Sequence, residues 1–446
     1  MKKIKNYFGN LKSFNFNLFV SLCLLALVPA VYQTVRTFLI STSTSAGAFD
    51  VIGQMEWFDL INETLLAFLI VPLYSVLNKI YTSHGERFSA SVFKVGIISF
   101  LLYFIFSATV FAYGVHLVRM MNPAQTDINS VNTYLRLETV AFVLGIISRF
   151  VNVVFVVVGK SKNVYIFLAA NALLSILADF VLIPSFGVMG IALSNILINL
   201  ILGALGIFVL VIEGYVKIEG FSRRDVAICR EWARVGVFSG LQQFIDNVFY
   251  AVMIGKMVNM VAEQGNYWVA NNFIWGWLLI PVSALVEIIR RDCKDGYRKL
   301  KQSNYYMITG FVVALWIATV PLWSVFYQYA ERLVNYQAIF DITVKLFPFY
   351  IAYALCTIPD NIFIGLGKTK YNMINSLICN LGYYGLFFVL YVTKAITMTM
   401  NTIILMFGIC NIVHLAISVA QERIFLKKEL PQAQGDGKSI PAIIGE

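Results

Sequence analysis

Stretches of about 20 apolar residues, each long enough to cross a bilayer core of about 30 Å as a helix, follow one another along nearly the whole chain. Twelve can be placed, over about 15–40, 51–78, 92–118, 131–158, 163–184, 187–212, 235–260, 267–289, 304–328, 338–366, 371–393 and 399–424. Composition agrees: 59% of the 446 residues are hydrophobic and 13% charged, against roughly 25% charged in soluble domains. The expected fold class is therefore an all-α integral membrane protein of twelve transmembrane helices.

Basic residues recur at every second connection, which orients the chain because short cytoplasmic loops hold the positive excess. The clusters are Lys2, Lys3, Lys5 and Lys12; Lys79, Arg87 and Lys94; Lys160 and Lys162; Lys217, Arg223, Arg224, Arg230 and Arg234; Arg290, Arg291, Lys294, Arg298, Lys299 and Lys301; Lys368 and Lys370; and Arg423, Lys427, Lys428 and Lys438. The intervening connections hold only Arg119, Arg136, Arg332 and Lys394. Both termini are expected in the cytoplasm, with the chain multi-pass in a bacterial inner membrane. This bias accounts for the net charge of +10, so nucleic acid is not an expected partner. The first apolar run is too long for a cleavable signal and reads as the first span.

Six cysteines (Cys23, Cys229, Cys293, Cys356, Cys379, Cys410) are scattered without CxxC spacing, so they read as packing residues rather than as a disulfide framework or metal site. No GxxxxGK[ST] phosphate loop, HExxH or nucleophile elbow occurs. No enzymatic activity and no cofactor is expected, and uphill movement of any solute would draw on an ion gradient, of H⁺ or Na⁺.

Three segments return at nearly one offset. GKSKN (159–163) returns as GKTKY 208 positions on, LIVPLYSVL with Pro72 as LLIPVSALV with Pro281 209 on, and AVYQTVRTF with Gln33 resembles SGLQQFIDN with Gln243 210 on. Two six-helix halves are expected, 1–215 and 216–430, followed by a polar tail, 431–446, expected to be disordered. Six spans per half give the halves one orientation, and transporters so built place substrate between them.

Charge deep in a bilayer costs about 2.5–3.5 kcal/mol on insertion scales, so it normally faces a bundle interior or a wet cavity. In QMEWFDLINETLLAF, Glu56, Asp59 and Glu63 fall within roughly 60° on a helix and form one acidic stripe. Glu63 then lies about 18 Å along the second span, near its middle. Arg36 in span one is the natural counter-charge, and Pro29 is expected to kink that span. Asn171, Ser175 and Asp179 make a second stripe in span five; Arg149 in span four either pairs with it or snorkels outward. The second half holds Gln242, Gln243, Asp246 and Asn247 in span seven, Asn271 and Asn272 in span eight and Asp360 in span ten. Lys256, Asp341 and Lys345 read as interfacial. His414 reads as a hydrogen-bonded structural histidine, with a proton relay as the alternative.

LVPAVYQTV (27–35), GLQQFIDNVFY (240–250), ANNFIWGWLLIPVSAL (270–285), NALLSILADFVLIPSFGVMGIALSN (171–195) and the two GK[ST]K turns resemble the multidrug and toxic compound extrusion (MATE) family, within the superfamily that includes oligosaccharide-lipid flippases. The resemblance covers nearly the whole chain, diffusely. It implies a two-lobed, twelve-helix antiporter that expels cationic, often aromatic compounds in exchange for Na⁺ or H⁺. It also implies ion-coupling roles for Asp179, Asp246 and Asp360. Two positions depart: Arg36 stands where the proton-linked branch has Asp, and Ser175 where Asn is usual. The implied site is rewired, with Glu63 replacing the lost acid and Arg36 held between carboxylates.

Together these readings give a secondary antiporter exporting amphipathic organic cations, acting as a monomer. The coupling candidates are Glu63, Asp59, Arg36, Asp179, Ser175, Asn171, Asp246 and Asp360, and the substrate candidates Glu56, Gln33, Gln243, Asn247 and Asn272. Aromatic faces from 36 Phe and 23 Tyr suit a cationic substrate. The rival is a flippase for a lipid-linked saccharide, with Arg36 and Arg149 meeting an anionic headgroup. A non-transporting scaffold would use the same charges only to staple helices.

Overall fold

The structure, a computed structural model, describes residues 14–44, 47–83, 85–121, 127–222, 225–261, 263–293 and 296–432. Lys2, Lys3, Lys5, Lys12, Arg223, Arg224, Lys294 and Lys438 lie outside them, as does the expected tail apart from the two residues that end the last helix. Twelve helical spans follow in order: α1 (Phe16–Ser43), α2 (Ala48–Thr82), α3 (Arg87–Met121), α4 (Ile128–Val157), α5 (Lys162–Phe186) and α6 (Val188–Ile212). Then come α7 (Asp225–Phe249, continued by a π turn Tyr250–Gly255), α8 (Gln264–Leu278 and Ile280–Asp292), α9 (Gln302–Ala330), α10 (Tyr336–Gly365), α11 (Lys370–Val392) and α12 (Met400–Gln432). Among the described residues ten helices are long and apolar enough to cross a membrane, and bent α8 makes an eleventh. The expected seventh span is helical too, but α7 carries Arg230, Arg234, Gln242, Gln243, Asp246 and Asn247 and is too polar to qualify by itself. Pro29 does not interrupt α1, which runs as one helix.

The repeat is visible in how the spans end and break. After α4, Gly159 takes φ +75°; its N–H donates to Val156 O (3.1 Å) and that of Lys160 to Phe155 O (2.8 Å). After α10, Gly367 takes φ +68°, and the same two bonds form from Gly367 to Ile364 O (2.9 Å) and from Lys368 to Phe363 O (2.7 Å). Both are Schellman turns, in which a left-handed residue, nearly always glycine, lets the orphan carbonyls of the last turn find donors. Likewise α2 breaks at Ile70 and α8 at Leu279, each followed two residues later by proline (Pro72, Pro281), and α8 bends there by 51°. A proline cannot donate to the carbonyl four residues back, so each break falls where the ladder is already open.

Two compact units form: residues Val35–Gly265, and Met1–Thr34 together with Asn266–Glu446. Their bounds differ from those of the two sequence halves, chiefly because α7 packs on α2. Gly236 and Gly240, one turn apart, let α7 approach Phe68 so closely that a Cβ at Gly236 would lie 2.5 Å from Phe68 O and one at Gly240 2.3 Å from the Phe68 ring. Lipid tails are as apolar as these side chains, so small residues and interhelical hydrogen bonds hold such a contact. Phe68 O is the carbonyl that Pro72 leaves without an N–H. The next carbonyl, Leu69 O, accepts from Trp232 Nε1 at 3.0 Å, and Asn247 Nδ2 donates to Leu60 O at 3.2 Å. In the other unit, Trp277 Nε1 donates to Thr34 Oγ1 (2.9 Å), tying the part of α1 that belongs to this unit to α8.

Asp225 opens α7 some ten residues before its apolar part and pairs with Lys94 Nζ at 2.9 Å. Burial pushes its carboxyl up, but the hydrogen bonds from Lys94 and Ser222 outweigh this and hold it below its ordinary value. A depressed folded-state value gives stability that is complete above the ordinary carboxyl range, about pH 4, and is lost as pH falls through the depressed value. Thermal unfolding in detergent across acidic to neutral pH should therefore show Asp225→Asn less stable than wild type near neutrality, the gap closing toward acid.

Candidate functional site

The first unit gathers its charges around Arg36. The guanidinium of α1 forks onto Asp179 of α5, Nε to Oδ2 at 2.8 Å and Nη2 to Oδ1 at 3.2 Å, a planar geometry that only arginine supplies. Nη2 also donates to Asn195 Oδ1 of α6 at 3.0 Å, and Asn195 Nδ2 donates to Glu138 Oε1 of α4 at 2.8 Å. The side chains of Arg36 and Asp179 are 13% and 1% exposed, and Glu138, which also bonds Tyr134, is 5% exposed. One amide thus bridges cation and acid, accepting from the first and donating to the second. Arg36 stands between carboxylates as expected, but its second neighbour is Glu138, not Glu63.

The acidic stripe of α2 lies close by. Asp59 interacts electrostatically with Glu56, Glu63, Glu138 and Arg149, so the acids of α2 face Glu138 and Arg149 of α4. Asp59 and Glu63 are exposed and Glu56 half-buried, whereas Trp57, Phe58 and Asn62 between them, and Thr64 after them, are buried. The exposed side chain of Arg149 interacts with Asp59 of α2 rather than with the span-five stripe.

The span-five stripe divides. Asp179 and Ser175 are buried beside α1, while Asn171 is exposed and has no part in this network. In α7, Gln243 and Asp246 are half-buried and Asn247 is spent on Leu60 O; the side chain of Gln242 lies outside the described residues. Gln33 is half-buried and Asn272 exposed in the other unit. There Asn271 Oδ1 accepts from Tyr350 OH at 2.8 Å, and Asp341 and Lys345 are exposed.

Asp360 of α10 sits in a different setting. His414 Nε2 of α12 meets its Oδ2 at 2.8 Å, and Ser418 Oγ donates to its Oδ1 at 2.6 Å. The Sγ of Cys356 lies within 4.8 Å of the Asp360 carboxylate and the His414 ring, so this one of the six cysteines stands with possible ligands rather than in apolar packing alone.

Glu138, Tyr134 and Asn195 were not singled out by the sequence. Glu138 could have been: it falls ten residues into α4, about 15 Å along the axis, by the same arithmetic that placed Glu63. Asn195 gives no such signal, because one amide in an apolar helix is common.

No family model and no curated sequence matches the chain. Solved structures do. The chain is similar to an inward-facing multidrug resistance MATE family transporter of the MOP superfamily, at TM-score 0.72 and 15% identity over 95% of this chain and 100% of that one. It is also similar to a MOP superfamily transporter from Pyrococcus furiosus, at TM-score 0.63 and 17% identity over 92% and 96%. An outward-facing MATE transporter gives 0.61 and 16% over 92% and 95%. The chain is an all-α membrane protein with the twelve-helix fold of the MATE transporters of the MOP superfamily.

Proposed function

We propose that this protein is a secondary active antiporter that exports amphipathic organic cations in exchange for H⁺ or Na⁺ by alternating access. It would act as a monomer in the bacterial inner membrane with both termini cytoplasmic. The observation that carries the reading is the Arg36 network. Five carboxylates (Glu56, Asp59, Glu63, Glu138, Asp179) and two guanidiniums (Arg36, Arg149) gather in one apolar helical unit, Glu138 and Asp179 buried in it. So many costly groups are retained in a membrane where they do work on ions. The excess of acid favours a cationic substrate. A proton or Na⁺ arriving at Asp179 would weaken its fork with Arg36 and free the guanidinium for another carboxylate, giving the network two discrete arrangements.

The likeness to multidrug resistance transporters supports transport as the class of activity. The Pyrococcus furiosus relative is described as having a binding pocket of reverse polarity that suggests a different function. Here the acids outnumber the bases, and polarity is the property to test. In proteoliposomes, Glu63→Gln and Asp179→Asn should each lower substrate-dependent H⁺ or Na⁺ flux at least about tenfold. Unchanged coupling in both variants would reject the assignment. Translocation of an anionic lipid with no cation efflux would instead establish the flippase.

A further inference from the structure

Asp360 was expected to serve a hard coupling ion, yet its neighbours suit a softer one. Cys356 and Asp360 lie four apart on α10, and Cys410, His414 and Ser418 are spaced by four along α12, so each set shares a helix face. The Cys356 Sγ, an Asp360 carboxylate oxygen and a His414 ring nitrogen are all within 4.8 Å of one another. Cys410, one turn before His414, lies near both His414 and Cys356 and is hydrogen-bonded to Cys379.

We infer that Cys356, Asp360 and His414 form a binding site for a thiophilic divalent transition-metal cation of the zinc class, with Cys410 the nearest further donor. Sulfur, imidazole and carboxylate together are the donor set such cations take, whereas Na⁺ has no use for a thiolate. Zinc binds thiolate at about 2.3 Å and imidazole at about 2.0–2.1 Å, so its donors stand about 3.4 Å apart. The present spacing reaches that by side-chain rotation once the ion parts Asp360 from His414.

The surroundings are built for the task. Ser418 Oγ holds Asp360 Oδ1 at 2.6 Å and itself accepts from Asn375 Nδ2 at 2.8 Å; Ser418 is 0% and Asn375 1% exposed. This buried chain turns the other oxygen, Oδ2, toward the histidine. Such outer partners fix ligand orientation and are worth about 10–100-fold in metal affinity. The His414 side chain is 30% exposed and gives an ion a way in. The site is independent of the transport reading, since metal binding needs no flux.

The test uses the full chain, purified through an affinity tag without histidines, stripped by a chelator, equilibrated with Zn²⁺ or Co²⁺ and desalted. Elemental analysis should find about one metal per chain, and the cobalt form should show a sulfur-to-cobalt charge-transfer band. Cys356→Ser and His414→Gln should each lower affinity at least about tenfold and abolish or shift the band, and Ser418→Ala should weaken binding about tenfold. Cys23→Ser and His116→Gln should change nothing. As a check free of variants, Zn²⁺ should raise the unfolding temperature of the wild-type protein where Mg²⁺ and Na⁺ do not. Metal retention equal in wild type, Cys356→Ser and His414→Gln would overturn the site, as would the absence of a zinc-specific rise in wild type.

Discussion

Asp179→Ala should destabilise the protein by about 3–5 kcal/mol, the cost of leaving a buried charge without its partner. The Arg36 side chain is 13% exposed, so little water can replace the lost carboxylate, and the neutral Asn195 oxygen that it also meets does not replace the charge. Arg36→Met should cost a similar amount, since it takes the cation away from the buried acids Asp179 and Glu138. The double variant Arg36→Met/Asp179→Leu is the informative one. Replacing both partners of a buried pair by apolar residues is often neutral or stabilising, so stability by thermal unfolding in detergent should return. Ion-coupled transport should not. Full recovery of both would reduce the pair to a staple between α1 and α5.

Gly190→Ala should be nearly as damaging, for a reason that has nothing to do with charge. A Cβ at Gly190 would lie 2.2 Å from Leu182 O and 2.8 Å from Ile183 Cα, so it would strike backbone rather than a flexible side chain. Helix α6 would have to move away from α5. Overpacking of this kind costs about 1–3 kcal/mol, and more where the obstacle is rigid. The displacement also separates Asp179 on α5 from Asn195 on α6, which bind Arg36 from two sides. A fall in unfolding temperature together with loss of substrate-dependent ion flux is expected. Gly310→Ala, where nothing lies within 4 Å, is the control and should leave both unchanged.

What could be read from the sequence follows from how each feature is encoded. The spans are written in runs of apolar residues, and the repeat in turns whose geometry depends on single residues, Gly159 and Gly367, Pro72 and Pro281. Arg36 and Asp179 were each legible as costly ions in hydrocarbon, but Arg36 was matched to the acids of α2 and its fork with Asp179 was not foreseen. Their actual network was less so. Glu138 could be placed deep in its span, but nothing in the sequence ties it to Arg36, and Asn171, eight positions before Asp179, falls about 80° from it around the helix and is exposed. The grouping of Cys356 with His414 was beyond sequence reasoning, because 58 positions and a change of helix separate them. In α7, Trp232 and Asn247 are explained by a neighbour far off in sequence, since each donates to a carbonyl of α2.

The matched turns after α4 and α10 have a consequence for how such a chain could have arisen. Each is closed by bonds among the last few residues of its own helix, and at neither glycine would a methyl group touch anything within 4 Å. The stop signal is therefore self-contained. A six-span ancestor copied end to end would have delivered its punctuation intact in both copies, leaving later drift free to remodel the chemistry lining each.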